Sequence, residues 1–258
     1  MKINKKCFLC ALISFLLIMP LNVKGICNKP TEGTPEKIAF LTFDDGPTPN
    51  NTVKIINELN KNNIKATFFV VGQKEEENPI AFKELVKNKM CIMPHTYSHN
   101  YDIYKSLSTY NDDLDKCMNL IRGVRGKKKL EFVRIPGGSD NQVSNKYVLS
   151  SIRKSILDRG MNYVDWNVCS GDAEAHYVPK SKIIGNVKKQ CTGQKIIVIL
   201  MHDSYYKKTT VESLSEIINY IKDKGYTFKT FDDVSEKEKN EMIDMGIINR
   251  KQKIDEGK

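Results

Sequence analysis

Five short clusters along the 258-residue chain carry side chains suited to acid–base or metal chemistry. The first is Asp44-Asp45, inside the run Leu41-Thr-Phe-Asp-Asp-Gly-Pro47. Two like charges side by side have two readings. Aspartate can simply serve a turn through local hydrogen bonds, with Gly46 and Pro47 as punctuation. Alternatively the roles divide, one carboxylate holding a metal and the other working on water. The second cluster, Pro94-His-Thr-Tyr-Ser-His99, sets His95 and His99 four apart. That spacing predicts two imidazoles on one face of a helical turn. The whole chain has only four histidines, so a close pair is informative. Two imidazoles and a carboxylate form the three-ligand, open-sided set of a catalytic zinc centre. The remaining clusters are Arg134 in Val-Arg-Ile-Pro-Gly-Gly, Asp172 in Ser-Gly-Asp-Ala, and His202 in Leu-Met-His-Asp.

The elements that must position these groups alternate along the chain. Short apolar runs at Ile38–Phe43, Ala66–Val71, Met90–Met93, Phe132–Pro136, Tyr163–Val168, Lys195–Met201 and Tyr226–Phe231 predict strands covered on both faces. Between them lie stretches with apolar residues at helical spacing. Examples are Val53-Ile56-Leu59, and Val211-Leu214-Ile217-Ile218-Ile221 with a stop signal at Lys224-Gly225. Strict β-α alternation implies a parallel sheet, either a barrel or a doubly wound sheet. No Gly-x-Gly-x-x-Gly follows a strand, which removes the main support for a dinucleotide-binding fold. An α/β barrel with fewer than the usual eight strands is the expectation. Barrels place catalytic groups at the C-terminal ends of their strands, and all five clusters fall there.

In that order the motifs Thr-Phe-Asp-Asp-Gly-Pro, His-Thr-Tyr-Ser-His, Arg-Ile-Pro-Gly-Gly, the segment ending Ser-Gly-Asp-Ala, and Leu200-x-His202 resemble those of the NodB-homology polysaccharide deacetylases, carbohydrate esterase family 4. The resemblance spans residues 38–232. It implies a distorted (β/α)7 barrel and metal-dependent removal of acetyl groups from amino sugars. It further implies Asp45, His95 and His99 as metal ligands, Asp44 as general base and His202 as general acid. Arg134 would orient Asp44, and Asp172 would tune His202 towards imidazolium. One divalent metal ion is implied; zinc suits two imidazoles and a carboxylate, with cobalt and nickel also open. The Gly137 N–H is a candidate donor to the oxyanion of a tetrahedral intermediate. Leu200 is assigned either to an acetyl-methyl pocket or to ordinary barrel core, and Trp166 to core or groove wall, with stacking on a substrate sugar as the alternative.

Several positions depart from the family's common pattern. Gly137 stands where an aromatic residue is frequent, which keeps a backbone donor but removes a pocket wall. In the fourth motif Cys169 replaces the first aspartate and Ala173 the trailing tryptophan, so the groove there is expected to be more open. Asp165 is a rival to Asp172 for the tuning role. His176 reads as a surface residue, while Tyr97, Tyr101 and Tyr104 either pack round the histidine turn or meet glycan.

The chain's ends and charge speak to location. Lys2, Lys5 and Lys6 precede an uncharged apolar run, Cys7–Met19, and Pro20 ends it. That pattern predicts a signal peptide over residues 1–25, or an uncleaved anchor that would be the only membrane contact. Residues 26–37 read as a linker and the charged stretch 233–258 as a terminal helix or a loose end. The formal charge is +10, and without residues 1–25 it is about +6, from 37 basic and 31 acidic side chains. For an exported protein this favours polyanionic wall polymers, and no nucleic-acid-binding motif is present. Five widely spaced cysteines remain after residue 25, an odd number that argues against a disulfide framework. The sequence therefore predicts an exported, monomeric, metal-dependent N-deacetylase of N-acetylglucosamine units in a glycan, with peptidoglycan foremost. An O-acetyl polysaccharide esterase of xylan type and a catalytically silent wall-glycan binder are the alternatives.

Overall fold

The structure is a computed structural model that describes residues 36–126 and 128–252. The predicted signal segment, most of the linker and Cys27 lie outside the described residues. Among the described residues, eight parallel strands are interspersed with eight α-helices. They are β1 (Lys37–Asp44), β2 (Thr67–Val70), β3 (Cys91–Pro94), β4 (Phe132–Val133), β5 (Asn162–Tyr163), β6 (Val168–Cys169), β7 (Ile196–His202) and β8 (Tyr226–Phe228). The helices are α1 (Thr52–Lys61), α2 (Gly72–Glu77), α3 (Pro79–Lys87), α4 (Leu107–Arg125), α5 (Lys146–Asp158), α6 (Lys180–Gln190), α7 (Lys208–Asp223) and α8 (Glu236–Asp244).

The ring of strands follows from their pairing. β3, β2, β1, β7 and β6 form one sheet in that order, and β4 pairs with β5 in another. The Arg134 N–H donates to the Pro94 carbonyl at 3.2 Å and joins β4 to β3. β5 and β6 are the two ends of the single strand expected over Tyr163–Val168, broken by a bend at Val164–Asn167. β8 pairs only with the base of β1, through Lys37, Ile38 and Ala39, while β2 pairs with the upper half, Thr42 to Asp44. Counted this way there are seven barrel positions, as the distorted (β/α)7 barrel requires.

β1 is buried from Ile38 to Asp44, so its continuous apolar run reflects helices outside and side chains inside. On the outside, α1 turns Ile55, Ile56 and Leu59 inward, and α7 turns Leu214, Ile217, Ile218 and Ile221 inward. α7 ends at Asp223 with Lys224 as its C-cap, and Gly225 follows at φ +78°, the left-handed position that a glycine takes without strain.

The C-terminal segment is ordered by specific packing. α8 opens with a capping box, in which the Ser235 hydroxyl and the Glu238 carboxylate each accept a backbone N–H. Beyond it Ile247 and Ile248 are buried, and Ile248 bridges antiparallel to Val164. Of the two expectations for residues 233–258, the terminal helix is the one observed over Glu236–Asp244. Among the described residues no helix is long and apolar enough to cross a membrane.

Candidate active site

The C-terminal ends of β1, β3, β4, β6 and β7 bring all five clusters to one rim. Asp44, the last residue of β1, is buried, and so is Arg134 just past β4. Arg134 Nη1 donates to Asp44 Oδ1 at 2.8 Å and to Thr42 Oγ1 at 2.8 Å. Its Nε and Nη2 donate to the carbonyls of Val164 and Asp165, both at 3.1 Å, and its guanidinium lies 4.1 Å from the Phe69 ring centroid. A buried guanidinium is tolerable only when its donors are matched in this way. The bend between β5 and β6 supplies two of the acceptors.

Asp45 follows at φ +76°, in the left-handed region. Asp45 Oδ1 lies 3.6 Å from His95 Nε2 and 3.3 Å from His99 Nε2. One ligand atom from each of the three residues falls within 4.8 Å of the others. The histidine pair is not helical: β3 ends at Pro94, and the chain turns through Thr96 at φ +65° and His99 at φ +52°. The turn is fixed by Asp113 of α4, whose Oδ1 accepts from the N–H groups of Tyr97 and Ser98 at 2.6 and 3.0 Å. Spacing of four therefore serves here through a loop, which corrects the helical expectation.

The donor set fits a divalent metal. His95 Nδ1 is 2.7 Å from the Arg134 carbonyl, which can only accept, so the proton sits on Nδ1 and the Nε2 lone pair faces Asp45. Burial lowers the His95 pKa to about 4, although the charges of Asp44 and Asp45 work against this, and the ring is neutral at pH 7. Burial pushes the Asp45 pKa up, but the fields of His202, His99 and His95 prevail and lower it. A neutral imidazole and an ionised carboxylate are the forms a metal takes.

On the other side, His202 Nδ1 lies 2.7 Å from Asp172 Oδ1, and Asp172 Oδ2 accepts from the His202 N–H and the Thr210 hydroxyl, both at 2.8 Å. Burial works to lower the His202 pKa, but the hydrogen bond and charge of Asp172, with the fields of Asp45 and Asp44, raise it to about 9. Asp165 is not beside His202. Its Oδ1 and Oδ2 accept from the N–H and hydroxyl of Ser139 at 2.9 and 2.5 Å, which anchors the turn after Arg134.

That turn carries Gly137 and Gly138 at φ +76° and +92°, where a Cβ would be strained. The Gly138 N–H closes the turn onto Ile135 O at 2.8 Å. The exposed Gly137 N–H donates to none of the described backbone groups. Trp166 is half-buried, with its ring edge against Gly138, so it forms a wall beside the turn. Leu200 is 6% exposed yet stands apart from the main apolar cluster that holds its neighbours Ile199 and Met201. Tyr104 is buried, with its hydroxyl on the Pro136 carbonyl at 2.6 Å, and Tyr97 bonds Glu76 at 2.6 Å. Tyr101 is exposed, its ring 6.0 Å from that of His99.

With this geometry in place, the comparison with known proteins is direct. The polysaccharide deacetylase family model matches residues 31–154. A peptidoglycan N-acetylglucosamine deacetylase of Bacillus cereus is 30% identical over 197 residues, covering 76% of this chain and 86% of that protein. The chain belongs to the polysaccharide deacetylase family. A peptidoglycan N-acetylmuramic acid deacetylase of Bacillus subtilis is 28% identical over 204 residues, covering 78% of this chain and 72% of that one. The solved catalytic domain of a peptidoglycan N-acetylglucosamine deacetylase from Eubacterium rectale superposes with a TM-score of 0.69 at 34% identity, over 76% of this chain and 88% of that one.

The site also contains residues that the motif reading left aside. Thr42, two residues before Asp44, shares the Arg134 donor with it, and Thr210 shares Asp172 with His202. Asp203 is buried behind the first motif, with Oδ2 accepting from Thr52 at 2.5 Å. A Cβ on Gly46 would stand 2.0 Å from that oxygen, so the glycine is required by close approach. Asp203 directly follows His202, and that adjacency was the available signal. The four described cysteines are free; Cys91, Cys117 and Cys191 are buried and Cys169 is half-buried.

Proposed function

We propose that this deacetylase is an exported, metal-dependent hydrolase that removes N-acetyl groups from N-acetylglucosamine units of peptidoglycan and releases acetate. The observation that carries the reading is the Asp45–His95–His99 cluster standing between two oriented side chains, Asp44 held by Arg134 and His202 held by Asp172. A divalent ion held by Asp45, His95 and His99, zinc by donor type with cobalt or nickel open, would acidify a water and polarise the acetyl carbonyl.

The chain's own groups supply the remaining steps. Arg134 occupies Asp44 Oδ1, while Oδ2 points towards the cluster, 3.8 Å from His95 Nε2, and is free to accept the water's proton. The Gly137 N–H stands at an exposed turn, suited to hold the oxyanion that develops on the acetyl oxygen. His202 carries its Nδ1 proton on Asp172 and offers the Nε2 proton to the leaving amine as the carbon–nitrogen bond breaks. With a pKa of about 9 it is imidazolium at neutral pH, the form an acid needs. Leu200 at the barrel mouth suits the acetyl methyl, and Trp166 the sugar.

The peptidoglycan assignment rests on the named substrates of the relatives, the apolar leader in the sequence and the net positive charge outside it. Export and a monomeric state belong to the same reading. The test is acetate release by metal-loaded protein from peptidoglycan and from N-acetylglucosamine oligomers, with and without chelator. Release from O-acetylated xylan but not from either N-acetylated substrate would replace this reading with an esterase. Metal-independent binding to wall glycan without turnover would replace it with a silent binder.

A further inference from the structure

The two loops on the His202 side of the centre carry exposed aromatic and imidazole rings that no catalytic step uses. The loop 170–179 after β6 contributes His176 and Tyr177, and the loop 203–207 after β7 contributes Tyr205 and Tyr206. All four are exposed, Tyr177 by 68% and Tyr206 by 65%. The His176 and Tyr206 rings face each other with centroids 4.4 Å apart and planes tilted by 42°. Single exposed rings are common on a protein surface, but an exposed ring pair beside a functional centre is not.

The backbone that presents these rings is fixed. Lys207 Nζ donates across to the carbonyls of Asp172 and Ala175, at 2.9 and 3.2 Å. The Tyr205 carbonyl accepts from Asn50 and Asn51 at 3.0 and 3.3 Å, and its hydroxyl donates to Asn78 at 3.1 Å. Lys74 lies 5.4 Å from the Tyr205 ring centroid, so that ring is already engaged. His176 and Tyr206 are therefore held as a pair, with part of their ordering cost met before any ligand arrives.

Their position relates them to the reaction centre. Tyr206 is four residues beyond His202, and His176 four beyond Asp172, so neither is more than roughly 14 Å along the chain from the acid or its partner. A glycan whose acetyl group enters the centre continues past it as a row of pyranose rings. Each such ring has an apolar face of C–H bonds and a rim of hydroxyls. An aromatic ring with a polar edge, tyrosine or histidine, matches both features.

We propose that the His176–Tyr206 pair, flanked by Tyr177, is a binding subsite for a pyranose ring of the glycan on the His202 side of the sugar being deacetylated. The proposal rests on the deacetylase reading above, and it makes the enzyme selective for glycan length.

The test uses the metal-loaded chain with Asp44→Asn, which binds without turnover, and N-acetylglucosamine dimer and hexamer measured by titration calorimetry. The hexamer should bind more tightly than the dimer. Tyr206→Ala or His176→Ala should cut the hexamer-to-dimer affinity ratio about five- to tenfold, the scale of one lost ring contact. Tyr206→Trp should keep the ratio. Equal affinity for both oligomers in the parent, or equal losses for both in the alanine variants, overturns the subsite. Acetate release by the chain with native Asp44 is read separately. Length-dependent binding without release leaves the subsite standing and removes the deacetylase reading, whereas release without length dependence does the reverse.

Discussion

Asp44 and His202 are register partners on the neighbouring parallel strands β1 and β7. The two groups proposed to take and give protons are thus set side by side by backbone pairing, each turned by its own buried partner. Replacing Asp44 with Asn keeps the shape but removes the base. Acetate release should fall by about a hundredfold or more, with metal content unchanged when measured by elemental analysis.

His202 gives the pH dependence a definite sign. Its pKa, raised to about 9, keeps the proton through neutral pH, so acetate release should fall as pH rises through about 9. Asp172→Asn removes the charge that holds the proton there, and the alkaline limb should move to lower pH. The same shift affects folding. A histidine whose folded pKa lies above its unfolded value stabilises fully below pH 6.5 and loses that contribution as pH rises through about 9. A pH–rate profile that is unchanged in Asp172→Asn would remove Asp172 from the tuning role.

Arg134 should be the costliest single position in the barrel. Arg134→Met leaves the Asp44 carboxylate buried without its partner, a loss of about 3 to 5 kcal/mol. Urea unfolding measures it, and the change should exceed that of Asp44→Asn, which leaves an amide able to hydrogen-bond.

The proposed metal site predicts a binding phenotype separable from rate. His95→Ala removes the ligand that the Arg134 carbonyl orients, and zinc affinity should fall by about tenfold or more. Competition with a chromophoric chelator reads this without any substrate.

Gly46 offers a test of packing behind the aspartate pair. Gly46→Ala forces its Cβ against the Asp203 carboxylate, which Thr52 holds in place. Overpacking of this kind costs about 1 to 3 kcal/mol, visible as a lowered melting temperature.

The sequence made some of this legible for physical reasons that can be named. β1 could be read because a strand covered on both faces must be apolar throughout. The Asp45–His95–His99 cluster could be picked out because few residue types bind metals and only four histidines exist. The histidine turn was misread because a spacing of four is shared by a helix and by a loop with two left-handed residues. Nothing in Thr96 announces a positive φ. The bend in the fifth strand was hidden because Val164 and Trp166 keep the apolar pattern across it. Within the bend Asp165 is committed to Ser139, a partner twenty-six positions away that its own segment does not reveal. The C-terminal segment was left open because its charge outweighs a short apolar patch, and Ile248 finds its place only against Val164.

Arg134 joins two functions through a single residue: its side chain clamps Asp44, and its main-chain carbonyl orients His95. The proposed proton acceptor and the proposed metal ligand are therefore tied to one residue in this barrel. A backbone shift at Arg134 that loosens one must disturb the other, so substitutions there should fail in both respects at once. Room for change lies instead in the loops around the rim, where substitutions at Ala173 and at the exposed aromatic rings touch neither Arg134 contact.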